Sequence, residues 1–216
     1  MFMKTKYFII VVSGPIAGVF FGSMIWHKLM TRQIPSAVIL NVAASVAIGT
    51  NTDFQGETNA PNTLVEFADF QCPPCIGQSF EIPKYLNKYG GKLRFQFRHY
   101  PLVKMHPYAM AAAIASEASR KQGTFWQAHD ALFQKKAHLT HLDIEGAIHN
   151  LGIDSARYDR DQAAAKASVD QDMKTGDVLG VTGTPTFILC LADGRVLQLN
   201  GLAQIADYLS PTNPIQ

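Results

Sequence analysis

The sequence predicts an α/β domain with strands at its two ends and a helical block inserted between them, preceded by a transmembrane helix. Three observations carry this. A run of 20 residues without a charge, Tyr7 to Trp26, stands near the start. A strand–helix–strand pattern follows between Thr63 and Arg98. About eighty residues of helical character then separate it from a closing strand pair, Pro185 to Leu199.

The apolar run has the length a helix needs to cross a bilayer core. Lys4 and Lys6 precede it, and His27, Lys28 and Arg32 follow it. Tyr7 and Trp26 stand where interfacial aromatics belong. Charge on the two flanks is nearly balanced, so orientation is not set by the positive-inside rule. A cleaved signal peptide is the competing reading, but its apolar core should run only about 7–15 residues. Ser45-Val46-Ala47, after a second apolar stretch from Ile34 to Ile48, has the look of a cleavage site. Gly14, Gly18 and Gly22 recur every four residues, a spacing that lets membrane helices approach closely. Pro15 is expected to kink the helix. Residues 1–33 are therefore read as an anchor or signal segment. Residues 34–61 are read as a linker with room for a short strand, Ala37 to Val42; its second half, Gly49 to Pro61, is polar.

Composition is that of a globular protein, 47% hydrophobic and 17% charged. The net charge of +2 is uneven: Lys4, Lys6, Lys28 and Arg32 precede Pro35, and no acidic residue does. Without those four, 19 basic residues become 15, against 17 acidic ones. The body is mildly acidic, and nucleic-acid binding, which needs a basic face, is not expected.

The domain is read as residues 62–210, with a six-residue tail after it. Thr63 to Phe67 is a short apolar strand. A helix follows from about Pro73 to Tyr89, with Pro83 inside it and Gly90-Gly91 as its stop. Leu93 to Arg98 alternates apolar and polar, the mark of a strand. Helices are expected over Pro107–Lys121, Phe125–Lys135, Leu142–Leu151 and Asp154 to about Leu179, a block spanning about residues 105–180. Pro185 to Leu191 is a strand, Asp193-Gly194 a hairpin turn, and Val196 to Leu199 the returning strand. Leu202 to Leu209 forms a last helix.

The three cysteines are too few for a disulfide scaffold. They suit one working dithiol, Cys72-Pro73-Pro74-Cys75, and one bystander, Cys190. At a helix start the unpaired N–H groups and partial positive charge stabilise a thiolate. Such placement lowers a thiol pKa from about 8.5 to about 3.5–7.5. Cys72, first in the turn, is the expected exposed attacking sulfur, and Cys75, one turn inward, the resolving thiol. Pro73 suits the first helical position. Neither proline has an N–H to give the thiolate, so Cys72 should be less depressed than where a histidine fills the second slot. The competing reading is half a zinc or copper site. A structural zinc needs four ligands, and neither Cys190 nor the His138/His141 pair completes a set.

With its flanks, this region resembles the DsbA-like branch of the thioredoxin superfamily, over roughly Pro61 to Leu209. The resemblance rests on four pieces in order. They are Leu64 to Gln71 (LVEFADFQ) running into the cysteines; Phe97 to Leu102 (FRHYPL) with His106-Pro107; Phe125 to Phe133 (FWQAHDALF); and Gly180 to Phe187 (GVTGTPTF). It implies a thioredoxin fold with an inserted helical block, and a protein disulfide oxidoreductase needing no cofactor or metal. It also implies a cis Thr184–Pro185 bond facing Cys72. An extended substrate would pair with Thr184 there, against Thr184, Pro185, Pro73 and Pro74. Glu66, on a core strand, is costly to bury unless paired or protonated. In related folds an acid at this place assists proton transfer at the inner cysteine, a role that goes with a raised pKa. His99, His106 and His129 are read as structural.

These implications lead to an extracytoplasmic enzyme, held at the cytoplasmic membrane or secreted after cleavage. It would oxidise cysteine pairs in secreted or membrane proteins and be reoxidised by a membrane thiol oxidase. A reductase or isomerase, a metal-delivery factor using the same sulfurs, and a redox-inert binding module are the alternatives. Pro74 departs from the histidine common in the strongest oxidants, and the anchor is absent from freely soluble members.

Overall fold

The computed structural model describes residues 37–50, 53–135 and 139–209. The expected anchor, Tyr7 to Trp26, lies outside them, as do His138 and the tail. No helix among the described residues is long and apolar enough to cross a membrane.

A mixed six-stranded sheet organises the molecule. In chain order its strands are β1 (Val38–Leu40), β2 (Gln55–Gly56), β3 (Asn62–Ala68), β4 (Leu93–His99), β5 (Thr186–Cys190) and β6 (Val196–Leu199), and their spatial order is β1-β6-β5-β3-β4-β2. Only β3 and β4 run parallel. Parallel neighbours need a long crossover, and helix α2 (Pro73–Tyr89) supplies it. β5 and β6 form the antiparallel hairpin, whose turn closes through Leu191 N–H to the Arg195 carbonyl at 2.9 Å. Gly194 adopts φ 90°, a conformation only glycine takes without cost.

Every residue of β3 is buried. Side chains alternate along a strand, so its two faces feed two apolar clusters. Leu64 and Ala68 join the larger one, with Cys75, Ile82, Phe70, Phe97 and Phe133. Val65 and Phe67 join the smaller, with Ala47, Leu179, Ile188 and Cys190. Glu66 falls between Leu64 and Ala68 and so points into the larger cluster, on the face where Cys75 lies.

The inserted block comprises α3 (Ala109–Arg120), α4 (Phe125–Gln134), α5 (His141–His149) and α6 (Ser155–Val178). Five alanines on α3 are buried, and they let α6 pack closely against it. α5 begins with a Thr140/Asp143 capping box, two orphan donors satisfied reciprocally. The last segment is a short 3₁₀ turn, Leu202–Gln204, leading into α7 (Ile205–Leu209), rather than one continuous helix.

The short strand expected within Ala37–Val42 is β1, which extends the sheet beside β6. Residues 44–61, however, are not a plain linker: α1 (Ala44–Ile48) buries Ala47 in the smaller cluster. The Arg98 guanidinium donates to the Val46 carbonyl (3.2 Å) and the Ala47 carbonyl (2.9 Å). In the polar half, β2 pairs with β4, and the Phe54 ring lies 3.9 Å under Arg94. Asp53 accepts from Arg120 at 2.6 Å. Few apolar residues are needed because cations from the domain reach out to hold this segment.

Candidate active site

The loop after β3 delivers Cys72 to the start of α2. Cys72 is the N-cap, in extended conformation (φ −72°, ψ 118°), with Pro73 and Pro74 filling the first two helical positions. The prolines remove the first two backbone donors of the helix. The Cys75 N–H is then the first one able to face the Cys72 sulfur; the thiol makes no cap hydrogen bond, and this N–H favours the thiolate.

The two sulfurs are thiols and divide their roles by depth. Cys75 is fully buried, while Cys72 keeps 4% of its surface. The expectation of an exposed attacking sulfur is corrected: Pro73 and Pro74 stand exposed beside it, but the sulfur lies beneath the rim, with its Sγ 3.2 Å from the Thr184 carbonyl. The Thr184–Pro185 peptide bond is cis.

The Cys72 thiol is lowered from 9.0 to about 6. The Cys75 side chain, donating its proton to the Cys72 sulfur, is the largest cause. Burial opposes the shift, the Thr184 hydroxyl and the Cys75 N–H support it, and the charge of Asp69 opposes it. Cys75 moves the other way, pushed far up first by burial, then by its bond to Cys72 and the charge of Glu66. The pair therefore shares one proton unequally: Cys75 keeps it and Cys72 is the thiolate.

Glu66 sits on a central strand, 1% exposed, opposite Phe97 on one side and Phe187 on the other. Its Oε1 has no hydrogen-bond partner. Burial, helped by the charge of Cys72, pushes its carboxyl up to about 8. It is a protonated acid at neutral pH beside the inner cysteine.

Two side chains unmarked by any spacing tie this loop to the rest. Buried Asp69 accepts from the Gln71 N–H (2.8 Å), the Leu102 N–H (2.8 Å) and His106 Nδ1 (2.7 Å). Gln71 accepts from the Tyr108 N–H (2.6 Å) and donates to the Leu139 carbonyl (3.3 Å). The local signal for the first is an Asx turn, an aspartate bonding the N–H two residues on; nothing local marks its distant partners.

The other expected residues fall elsewhere. His99 pairs with Glu117 at 3.0 Å in the interior. His129 is buried among Phe70, Phe97 and Phe133, and burial lowers its pKa. Cys190 lies in the smaller cluster, its thiol raised by burial to about 11. No group of three or more His, Cys, Asp or Glu among the described residues is placed to hold a metal ion.

Residues 50–208 match a family model described as thioredoxin. A Na(+)/H(+) antiporter NhaA of Salinispora arenicola is 37% identical over 137 residues, which cover 62% of this chain and 21% of that protein. One from Herminiimonas arsenicoxydans is 34% identical over 146 residues, 67% of this chain and 22% of that protein. The chain thus spans about a fifth of the length of these curated relatives. Among solved structures, the thiol-disulfide exchange protein alpha-DsbA2 of Wolbachia pipientis superposes with a TM-score of 0.64 at 20% identity, covering 76% of this chain and 89% of that one. A thioredoxin-like oxidoreductase from Silicibacter pomeroyi gives 0.64 at 24% identity, covering 77% and 95%. The catalytic domain of Proteus mirabilis ScsC gives 0.60 at 20%, covering 75% and 89%. At such identities the likeness is one of fold.

Proposed function

This chain belongs to the thioredoxin family, and on that premise we propose that it carries out thiol–disulfide exchange on protein substrates, with Cys72 as the outer sulfur and Cys75 as the inner one. The observation that carries the reading is the split between the two thiols: Cys72 lowered to about 6, Cys75 pushed far up. Exchange proceeds by a thiolate attacking a disulfide, and a low-pKa thiol leaves fastest.

In the oxidising direction a substrate thiolate attacks Cys72 Sγ of the Cys72–Cys75 disulfide. The S–S bond breaks and Cys75 leaves with the electron pair. Glu66, still protonated below about pH 8, is placed to hand it a proton. A second substrate thiolate then attacks the substrate sulfur of the mixed disulfide. Cys72 leaves as a thiolate that its surroundings stabilise, and the substrate departs oxidised. Thr184 and Pro185 border the approach, with Pro73 and Pro74 on the other side. Exposed Val103, Met105 and Leu142 flank it on segments tied to Asp69 and Gln71, and offer an apolar grip without sequence demands.

Oxidation is the direction we favour, because stabilising the Cys72 thiolate stabilises the dithiol form and makes the disulfide a better donor. Such chemistry needs an oxidising space. The uncharged run Tyr7–Trp26 would anchor the domain to the cytoplasmic membrane, facing outward, where a membrane thiol oxidase could restore the disulfide. Reduction or isomerisation by the same sulfurs is the second reading.

The test mixes the disulfide form with a reduced two-cysteine peptide. Disulfide should pass to the peptide, Cys72→Ser should abolish transfer, and Cys75→Ser, mixed instead with the peptide in its disulfide form, should trap it as a mixed disulfide at Cys72. A peptide that stays reduced, or an active Cys72→Ser protein, defeats the reading. A reduction potential near about −120 mV supports oxidation and one near about −270 mV supports reduction.

A further inference from the structure

We propose that His106 is a positioning residue for Cys72, acting through the Asp69 carboxylate that it holds. The effect on exchange rests on the reading above; the effect on Cys72 ionisation does not.

Asp69 is 1% exposed, two residues from Gln71 and three from Cys72. Its own carbonyl accepts from the Cys72 N–H at 3.1 Å, so its backbone is fixed to the reacting residue. A buried carboxylate is tolerated only where donors surround it. Asp69 has three: the Gln71 N–H on Oδ1, and the Leu102 N–H and His106 Nδ1 sharing Oδ2. Two are backbone groups that a substitution leaves in place. The imidazole is the third and the only side chain among them. It is 16% exposed, in contact with solvent at the rim of the site.

The groups that face the Cys72 sulfur come from four places. α2 brings Cys75, the loop before β5 brings Thr184, β3 brings Glu66, and the loop after β3 brings Asp69. Asp69 opposes ionisation of Cys72, through charge alone. How strongly it does so depends on how well its own charge is satisfied, and that is what the 2.7 Å bond from His106 governs. The same bond pins the 101–108 segment against the loop, together with Leu102 N–H to Asp69 and Tyr108 N–H to Gln71. His106 therefore joins two effects on one sulfur: it tempers the negative charge facing it and holds the wall beside it.

The experiment titrates the Cys72 thiolate by its ultraviolet absorbance in wild type, His106→Ala, His106→Asn and Asp69→Asn, alongside near-ultraviolet circular dichroism as a check on fold. Asparagine places an amide N–H close to where Nδ1 donates. We expect the midpoint in His106→Ala to rise by about half a pH unit or more, His106→Asn to restore the wild-type midpoint, and Asp69→Asn to lower it. A purely structural role would lower stability without moving the midpoint in this ordered way. An unmoved midpoint in folded His106→Ala overturns the proposal. If that variant fails to fold, an Asp69→Asn midpoint at or above the wild-type value overturns it instead. Ordered midpoints in a protein that fails to pass its disulfide to a peptide would uphold this inference and defeat the exchange reading.

Discussion

The Sγ of Cys72 lies 3.2 Å from the carbonyl oxygen of Thr184, 112 residues further along the chain. The thiol donates a hydrogen bond to that carbonyl, and on ionisation the donor is lost. The thiolate can then accept from the Thr184 hydroxyl, a buried group without a partner in the thiol form, and from the Cys75 N–H, both of which favour ionisation. One residue thus serves both protonation states with two different atoms. Thr184→Val keeps the shape and the carbonyl but removes the hydroxyl. The Cys72 midpoint should rise by about one pH unit, read by thiolate absorbance, and the disulfide should become a weaker oxidant. An unchanged midpoint would remove Thr184 from the account.

Glu66 makes the fold sensitive to pH in an unusual direction. Its folded pKa, about 8, lies above the ordinary 4.5. Between those values the unfolded chain has released the proton and the folded one still holds it, so stability falls as pH rises. The loss is complete above about pH 8 and amounts at most to about 5 kcal/mol. Cys72 acts oppositely: its folded pKa is depressed, so its contribution grows from pH 6 towards 9. Denaturant unfolding in a Cys72→Ser background isolates the carboxyl, leaving burial as the cause of its shift. Stability there should drop between pH 5 and 8.5, and adding Glu66→Gln should flatten the curve. A flat curve before that substitution would contradict a buried acid. With Cys72 present, Glu66→Gln should also slow the step that protonates Cys75.

Gly176 marks a close approach on α6. A Cβ there would come within 2.7 Å and 2.8 Å of the Tyr100 ring and 3.4 Å of Phe67. The ring cannot easily swing aside, because its hydroxyl is within hydrogen-bond reach of Asp177 (2.7 Å) and the Val181 carbonyl (3.0 Å). In an open helix Gly→Ala gains up to about 1 kcal/mol. Here overpacking should win, and Gly176→Ala should cost about 1–3 kcal/mol in denaturant unfolding.

Arg98 is the other structural keystone. It donates to Asp172 at 2.6 and 2.8 Å, to the Thr175 hydroxyl at 3.2 Å, and to two carbonyls of α1. Removing it strands a largely buried aspartate. Arg98→Met should cost about 3–5 kcal/mol, and Asp172→Asn added to it should recover part of that. Recovery of nothing would mean that the carbonyl contacts to α1 dominate.

Much of the architecture could be read ahead of the coordinates because its signals are local. Alternation in Leu93 to Arg98, the glycine stop after Tyr89 and the Asp193-Gly194 turn each report on their own neighbourhood. β3, α2, β4, the inserted helices and the hairpin stand close to where those signals put them. The strand at Val38–Leu40 was legible, but residues 44–61 were not, because what holds them is distant: Arg94 on β4, Arg98 on β4 and Arg120 on α3. The site divides the same way. The cysteines were marked by their spacing and Glu66 by its strand position, while Thr184, which reaches Cys72, and the cis Pro185 after it were expected only through the family resemblance. The depth of Cys72 did not follow, because it depends on a loop 112 residues away. Nor did the roles of Asp69, Gln71 and His106, whose bonds cross from the loop after β3 to the segment before α3.

The central claim is that Cys72 is the reactive sulfur because it alone ionises near neutrality. The rate at which the reduced protein reacts with a small disulfide probe, followed against pH with the modified residue identified, tests this most directly. The account predicts an inflection near pH 6 with the label on Cys72. An inflection near pH 9, or a label that settles first on Cys75 or Cys190, would contradict it.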